Sequence, residues 1–93
     1  MTFREDQTAA FLKIFWSSET SIRSFPGCRH LELWQDATQP TIFSTYSHWD
    51  SEAALNKYRH SELFASVWPR TKALFAAPPV AFSSIQVDTS EER

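Results

Sequence analysis

Two alternating runs, "CRHLELWQ" at 28–35 and "TIFSTYSHW" at 41–49, flank the short polar stretch "DATQP". Period-2 alternation rich in β-branched and aromatic residues on both sides of a proline-containing turn predicts a β-hairpin. A lone hairpin is marginal in water, so its apolar face must lie on other elements. With pairing symmetric about the turn, Leu33 faces Phe43, Leu31 faces Thr45, and Trp49 shares their face. The opposite face carries Cys28, His30, Glu32, Trp34, Ile42, Ser44, Tyr46 and His48. One face is apolar, and the other is polar but studded with aromatics.

Helical patterns stand on either side. Within "EDQTAAFLKIFW" at 5–16, Phe11, Leu12 and Phe15 share a helical stripe that Ile22 extends. "SSET" at 17–20 supplies new capping residues, which predicts a first helix followed by a shorter helical turn. "FPGC" at 25–28 ends it, since Pro26 cannot continue a helix and Gly27 permits a left-handed exit. After the hairpin, Asp50 is the expected N-cap, with Glu52 favourable in the first turn and Ala54, Leu55 and Tyr58 facing inward. Ser61 caps a further stretch in which Leu63, Phe64, Val67, Trp68, Thr71, Leu74 and Phe75 keep helical spacing. Pro69 predicts a kink or break just before it. "AAPPVAFSSIQV" predicts a proline turn and a final strand over 80–87, and residues 88–93 are expected to be a solvated tail.

With Met1 to Phe3 as a first-strand stub, this order is that of a split βαβ, ferredoxin-like unit over residues 1–87. The fold class expected is α+β, an antiparallel sheet with helices on one face. The other sheet face, with Trp34, Ile42 and Tyr46, is then bare, and a second copy of the chain is the natural cover.

Composition narrows the functions. At 93 residues a single core is only just adequate, but 15% of the chain is aromatic, and a few large rings can supply the buried area. A formal charge of -2 with no basic cluster excludes the usual nucleic-acid footprint. No apolar run approaches a membrane span, and the start "MTFREDQ" has no signal core. The one cysteine, Cys28, forms no internal disulfide, which suits a reducing cytoplasm. One glycine, Gly27, is too few for any Gly-rich phosphate loop.

His48-Trp49-Asp50 suggests a catalytic relay, but alternation sends His48 and Trp49 to opposite faces and leaves Asp50 to cap. His60 falls between helices, at the surface. Cys28, His30, Glu32 and His48 are all possible metal ligands on one face, yet no short ligand spacing supports them, and no metal is expected. Hydrolase, zincin and redox motifs are absent. Tyr58, Phe64 and Trp68 lie on a stripe facing the apolar sheet side. They are either ordinary core or the wall of a flat pocket for an aromatic ligand.

"FPGC" entering a strand, "QP" before "FSTYSHWDSEAAL", then "YRHSELF" and "LFAAPP" resemble the antibiotic biosynthesis monooxygenase family over about residues 3 to 87. The resemblance implies a ferredoxin-like protomer whose sheet meets that of a second copy in a dimeric α+β barrel. It also implies several residues before Met1, so either the edge strand is a stub or the natural start lies upstream. Characterised members of the family include cofactor-independent oxygenases of electron-rich aromatics and haem-degrading relatives. The haem-degrading pattern is not met: Tyr58 stands near its pocket Trp, Trp68 near its haem-ligating His, and its first-strand Asn has no counterpart.

The resemblance and the aromatic stripe together give the functional expectation. It is a monooxygenase needing no cofactor and acting on a small aromatic or quinol-type substrate. Tyr58 would orient the substrate or carry its proton, and Leu31, Phe43, Phe64 and Trp68 would form the walls. The alternative is a non-catalytic dimeric module that binds or senses a small molecule on the same fold.

Overall fold

The computed structural model describes residues 1–85 and 87. Its elements are β1 (Thr2–Phe3), a 3-10 turn (Glu5–Gln7), α1 (Thr8–Arg23), β2 (Cys28–Gln35), β3 (Phe43–Trp49), α2 (Glu52–Arg59), α3 (Glu62–Lys72) and β4 (Phe75–Ala77). β2 pairs antiparallel with β3, and β1 with β4. The two pairs join where the chain enters β3. Thr2 bridges Ile42, the Phe3 N–H donates to the Thr41 carbonyl at 2.9 Å, and the Phe43 N–H donates to the Met1 carbonyl at 2.9 Å. The strands therefore run β4–β1–β3–β2, the ferredoxin-like order, and the fold is α+β as the pattern predicts.

The core sits between α1 and the sheet. Phe11, Phe15 and Ile22 come from one face of α1, Phe3 from β1, Leu31 from β2 and Phe43 from β3. Phe3 is only 1% exposed and stacks on Phe11 with centroids 4.2 Å apart. Phe43 completes the cluster, 5.3 Å from Phe11 and 5.9 Å from Phe3. Four phenylalanines thus do most of the work of a core that a chain this short could not build from smaller side chains.

Several local expectations are corrected. "SSET" does not start a new helix, because α1 is continuous through it. Ser17 and Ser18 donate back to the Ile14 carbonyl at 2.9 and 2.7 Å, so their hydroxyls are used inside the helix. The hairpin register sets Leu33 opposite Thr45 and Leu31 opposite Ser47, two residues along from symmetric pairing. The even shift keeps His30 to Gln35 on their predicted faces, but an irregularity between Cys28 and His30 sets Cys28 opposite Trp49, away from the His30 and His48 face expected for it. The cause of the shift lies in the loop, where the Asp36 carboxylate accepts from the backbone N–H groups of Thr38 and Gln39 and from the Thr38 hydroxyl. These bonds hold Asp36 below the usual carboxylate range and wind the chain into a longer turn.

The N-cap of α2 is Ser51, whose hydroxyl accepts from the Ala54 N–H at 3.1 Å. Asp50 pairs instead with Arg29, through both Nε and Nη2 of the guanidinium. No break precedes Pro69; α3 runs through it. Pro69 and Ala65 are both exposed, so water can satisfy the Ala65 carbonyl that loses its helical partner. The last strand is β4 at Phe75–Ala77, before the two prolines, and residues 80–85 and 87 form no strand. Phe75 is the anchor, 5.1 Å from Phe3 in an edge-to-face contact, and that contact places the strand ahead of Pro78. The expected tail at 88–93 lies outside the described residues.

Candidate functional site

The hairpin's apolar face and the two C-terminal helices bring a row of rings together. Trp49 ends β3 on the apolar face, and the Ser51 cap turns the chain so that α2 lays Tyr58 against it. The two rings stack at 5.1 Å and 24°. Phe25, held just before the "PG" exit of α1, meets Tyr58 edge-on at 5.4 Å. Ser61 caps α3, its hydroxyl accepting from the Phe64 N–H at 3.1 Å, and Phe64 then meets Tyr58 edge-on at 5.2 Å. One helical turn later Trp68 stacks on Phe64 at 5.7 Å and 13°, and Phe75 closes the row 5.6 Å from Trp68.

Tyr58 brings a hydroxyl to this row, beside the indole N–H of Trp49, which donates to the Ser47 hydroxyl at 3.0 Å. Burial pushes the Tyr58 hydroxyl above the ordinary 10.0, and the nearby Cys28 adds to the shift. It is a neutral hydroxyl at physiological pH, and among the described residues no protein group is hydrogen-bonded to it. A phenol in such surroundings can donate a hydrogen bond to a bound oxygen without ionising.

The five residues expected to form the site fall into two groups. Leu31 and Phe43 are 5% and 3% exposed and belong to the core beneath α1. Tyr58, Phe64 and Trp68 are half-buried and linked ring to ring. Phe25, Trp49 and Phe75 also belong to the row but were not foreseen as site residues. Trp49 was readable from strand alternation and Phe75 stood in helical spacing with Phe64 and Trp68, though it lies in β4 and not in a helix; Phe25 carries no local signal beyond being aromatic. At the far end an open groove of about 500 Å³ is lined by Trp68, Lys72, Phe75, Ala76, Ala77, Pro78 and Pro79. It reaches the row at Trp68 and Phe75 and does not include Tyr58.

The opposite face of the hairpin holds a separate polar network. Glu32 accepts from the Trp34 indole at 2.6 Å and meets His30 Nε2 at 2.5 Å. These bonds lower the Glu32 carboxyl below its usual range, the His30 contact first. Tyr46 is hydrogen-bonded to His48, whose ring lies 5.8 Å from that of His30. No group of three or more metal-capable side chains is gathered among the described residues. No helix among them is long and apolar enough to cross a membrane.

The chain is a small ferredoxin-like α+β protein with an aromatic, sparsely polar row of side chains between sheet and helices. A model of the antibiotic biosynthesis monooxygenase family matches residues 1–67, and the chain belongs to that family. Among solved structures it is similar to Rv0793 from Mycobacterium tuberculosis, at 20% identity over 96% of this chain and 90% of the other, with a TM-score of 0.86. It is also similar to a conserved protein from Methanosarcina mazei Go1, at 17% identity over 83% and 76% of the two chains, TM-score 0.79. A protein described as an antibiotic biosynthesis monooxygenase matches at 21% identity over 83% and 81%, TM-score 0.78. No protein among the curated sequences matches the chain.

Proposed function

We propose that the protein is a cofactor-independent monooxygenase of small aromatic substrates, with Tyr58 as the group that touches the reacting ring. The observation that carries this reading is the half-buried, neutral Tyr58 hydroxyl, set among Phe25, Trp49 and Phe64 and without a hydrogen-bond partner among the described residues. Family membership supports the reaction class. A substrate with an acidic ring C–H or O–H supplies the electrons itself. Once deprotonated, an anthrone-type ring methylene adds dioxygen; the carbon becomes a carbonyl, and its two hydrogens leave with the second oxygen atom as water. The ring proton passes to solvent; Tyr58 would hold the substrate oxygen by a hydrogen bond and relay a proton from solvent to the departing oxygen, ending protonated as it began, while Phe64 and Trp68 flank the flat ring. Leu31 and Phe43 back this wall from the core. The working unit is proposed to be a homodimer joined through the open sheet face that carries His30, Trp34, Ile42 and Tyr46.

Oxygen uptake across a panel of anthrones, quinols and reduced quinones tests this. One dioxygen should be consumed per anthrone oxidised, and Tyr58→Phe should slow the reaction at least tenfold. No uptake with any member of the panel would overturn the proposal. One observation favours a second reading, a non-catalytic binding module: among the described residues no acid or base contacts the Tyr58 hydroxyl. A ligand that raises the melting temperature and is recovered chemically unchanged in air would support it.

A further inference from the structure

Two histidines meet on the open face of the hairpin. His30 and His48 are direct partners in the β2–β3 register, both are exposed, and their rings lie 5.8 Å apart. One carboxylate stands beside them, and both of its oxygens are taken. Glu32 Oε2 meets His30 Nε2 at 2.5 Å, and Glu32 Oε1 accepts from the Trp34 indole at 2.6 Å. His48 Nε2 is bound instead to the Tyr46 hydroxyl. That bond suits a neutral ring, which accepts the phenol proton. A charged ring must donate, and the phenol then needs another acceptor.

Few other charges face the pair. The core and the aromatic row hold the helices on the other side of the sheet, and β1 and β4 carry no charged side chain. The Met1 amino group is bound to the Phe43 carbonyl. At one end of the hairpin Asp50 is paired with Arg29, and at the other the Asp36 carboxylate is bound within its loop. Among the described residues, Glu32 is the one carboxylate in contact with either ring. The contact with His30, and after it that with Trp34, lowers its carboxyl below the usual range. Glu32 therefore stays ionised across the span of about pH 5 to 8 in which imidazole changes its charge.

We propose that His30 and His48 make association through this face pH-sensitive: the homodimer closes with His48 neutral and loosens when His48 takes up a proton. The inference rests on the homodimer proposed above and concerns its control. In the separate protomers both rings face water, which accommodates either charge state. In the dimer a proton on His48 is withdrawn from water, stands close to a second charged ring at His30, and finds no free carboxylate oxygen. The dimer therefore binds fewer protons than two protomers, and by linkage its association weakens as pH falls through the imidazole range.

Sedimentation at about pH 8 and about pH 5.5, near the two ends of that range, tests this with the wild type, His48→Gln and His60→Gln. Glutamine can accept from Tyr46 as the neutral ring does, but takes up no proton. His60 lies between α2 and α3, its ring bound to the Asn56 carbonyl, and serves as the control. The wild-type and His60→Gln dimers should weaken about tenfold or more at the lower pH, and the His48→Gln dimer should change little, with circular dichroism the same at both values. Dilution calorimetry of the wild type in two buffers of unlike ionisation enthalpy should show protons taken up on dissociation. A wild type that is monomeric at both pH values and micromolar concentration would overturn the homodimer and its pH control together. A wild-type dimer equally strong at both values, dissociation without proton uptake, or a His48→Gln dimer with the wild-type pH dependence would overturn the pH control and leave the homodimer standing.

Discussion

Gly27 and Tyr58 show how much one residue can settle. Gly27 has φ +89°, and a Cβ there would lie 2.5 Å from the Ala54 Cβ, so α2 packs directly on the exit from α1. Gly27→Ala must pay for the left-handed backbone, about 1–2 kcal/mol, and must also push α2 away. Urea unfolding should therefore show a loss at or above that range. For Tyr58 the sign of the pH effect follows from its raised folded-state value. The native chain keeps this proton where the unfolded chain has begun to release it. Its contribution to stability is complete below the ordinary 10.0 and is lost as pH rises through the higher folded value. Tyr58→Phe should flatten the fall in melting temperature above pH 10 and leave the neutral-pH value nearly unchanged.

Among the elements, α2 separates two adjacent residues that look interchangeable in sequence. Ser51 makes the cap bond and Asp50 makes an exposed ion pair. Ser51→Ala should cost about 1 kcal/mol, whereas Asp50→Ala should cost clearly less, because an exposed ion pair contributes little. Equal losses in chemical denaturation would show that Asp50 shares the capping. Element identity was readable here because helical and strand periodicities differ so plainly along 28–72; Leu74 and Phe75, which continue the helical spacing, lie beyond α3, and Phe75 opens β4. Which of two polar neighbours caps a helix was not readable, because Asp and Ser are equally good caps. Arg29, 21 positions upstream, decides it by claiming the carboxylate.

For the whole molecule, the unresolved demand is the open sheet face. Trp34 and Tyr46 are 61% and 50% exposed there, beside a hydrogen-bonded network in which Glu32, His30 and His48 already have partners. Burying one such aromatic is worth about 1.5–3 kcal/mol, so the pair on each of two copies could drive association through this face despite the ordering cost. Trp34→Glu should shift the protein towards monomer in analytical ultracentrifugation. A mutant that remains as dimeric as the wild type would move the interface elsewhere.

Periodicity alone determined the α+β class, the faces of the hairpin from His30 onward and the half-buried stripe of Tyr58, Phe64 and Trp68, because a residue's side in a strand or helix follows from its spacing. Only tertiary structure decided the rest. Phe75 against Phe3 set the last strand before Pro78, leaving the β-like pattern of 80–85 and 87 without a strand partner among the described residues. The packing of α1 took Leu31 and Phe43 into the core, while Phe25 joined the aromatic row from the turn after α1, Trp49 from β3 and Phe75 from β4. Local spacing says which way a side chain faces, but what it meets depends on residues far along the chain.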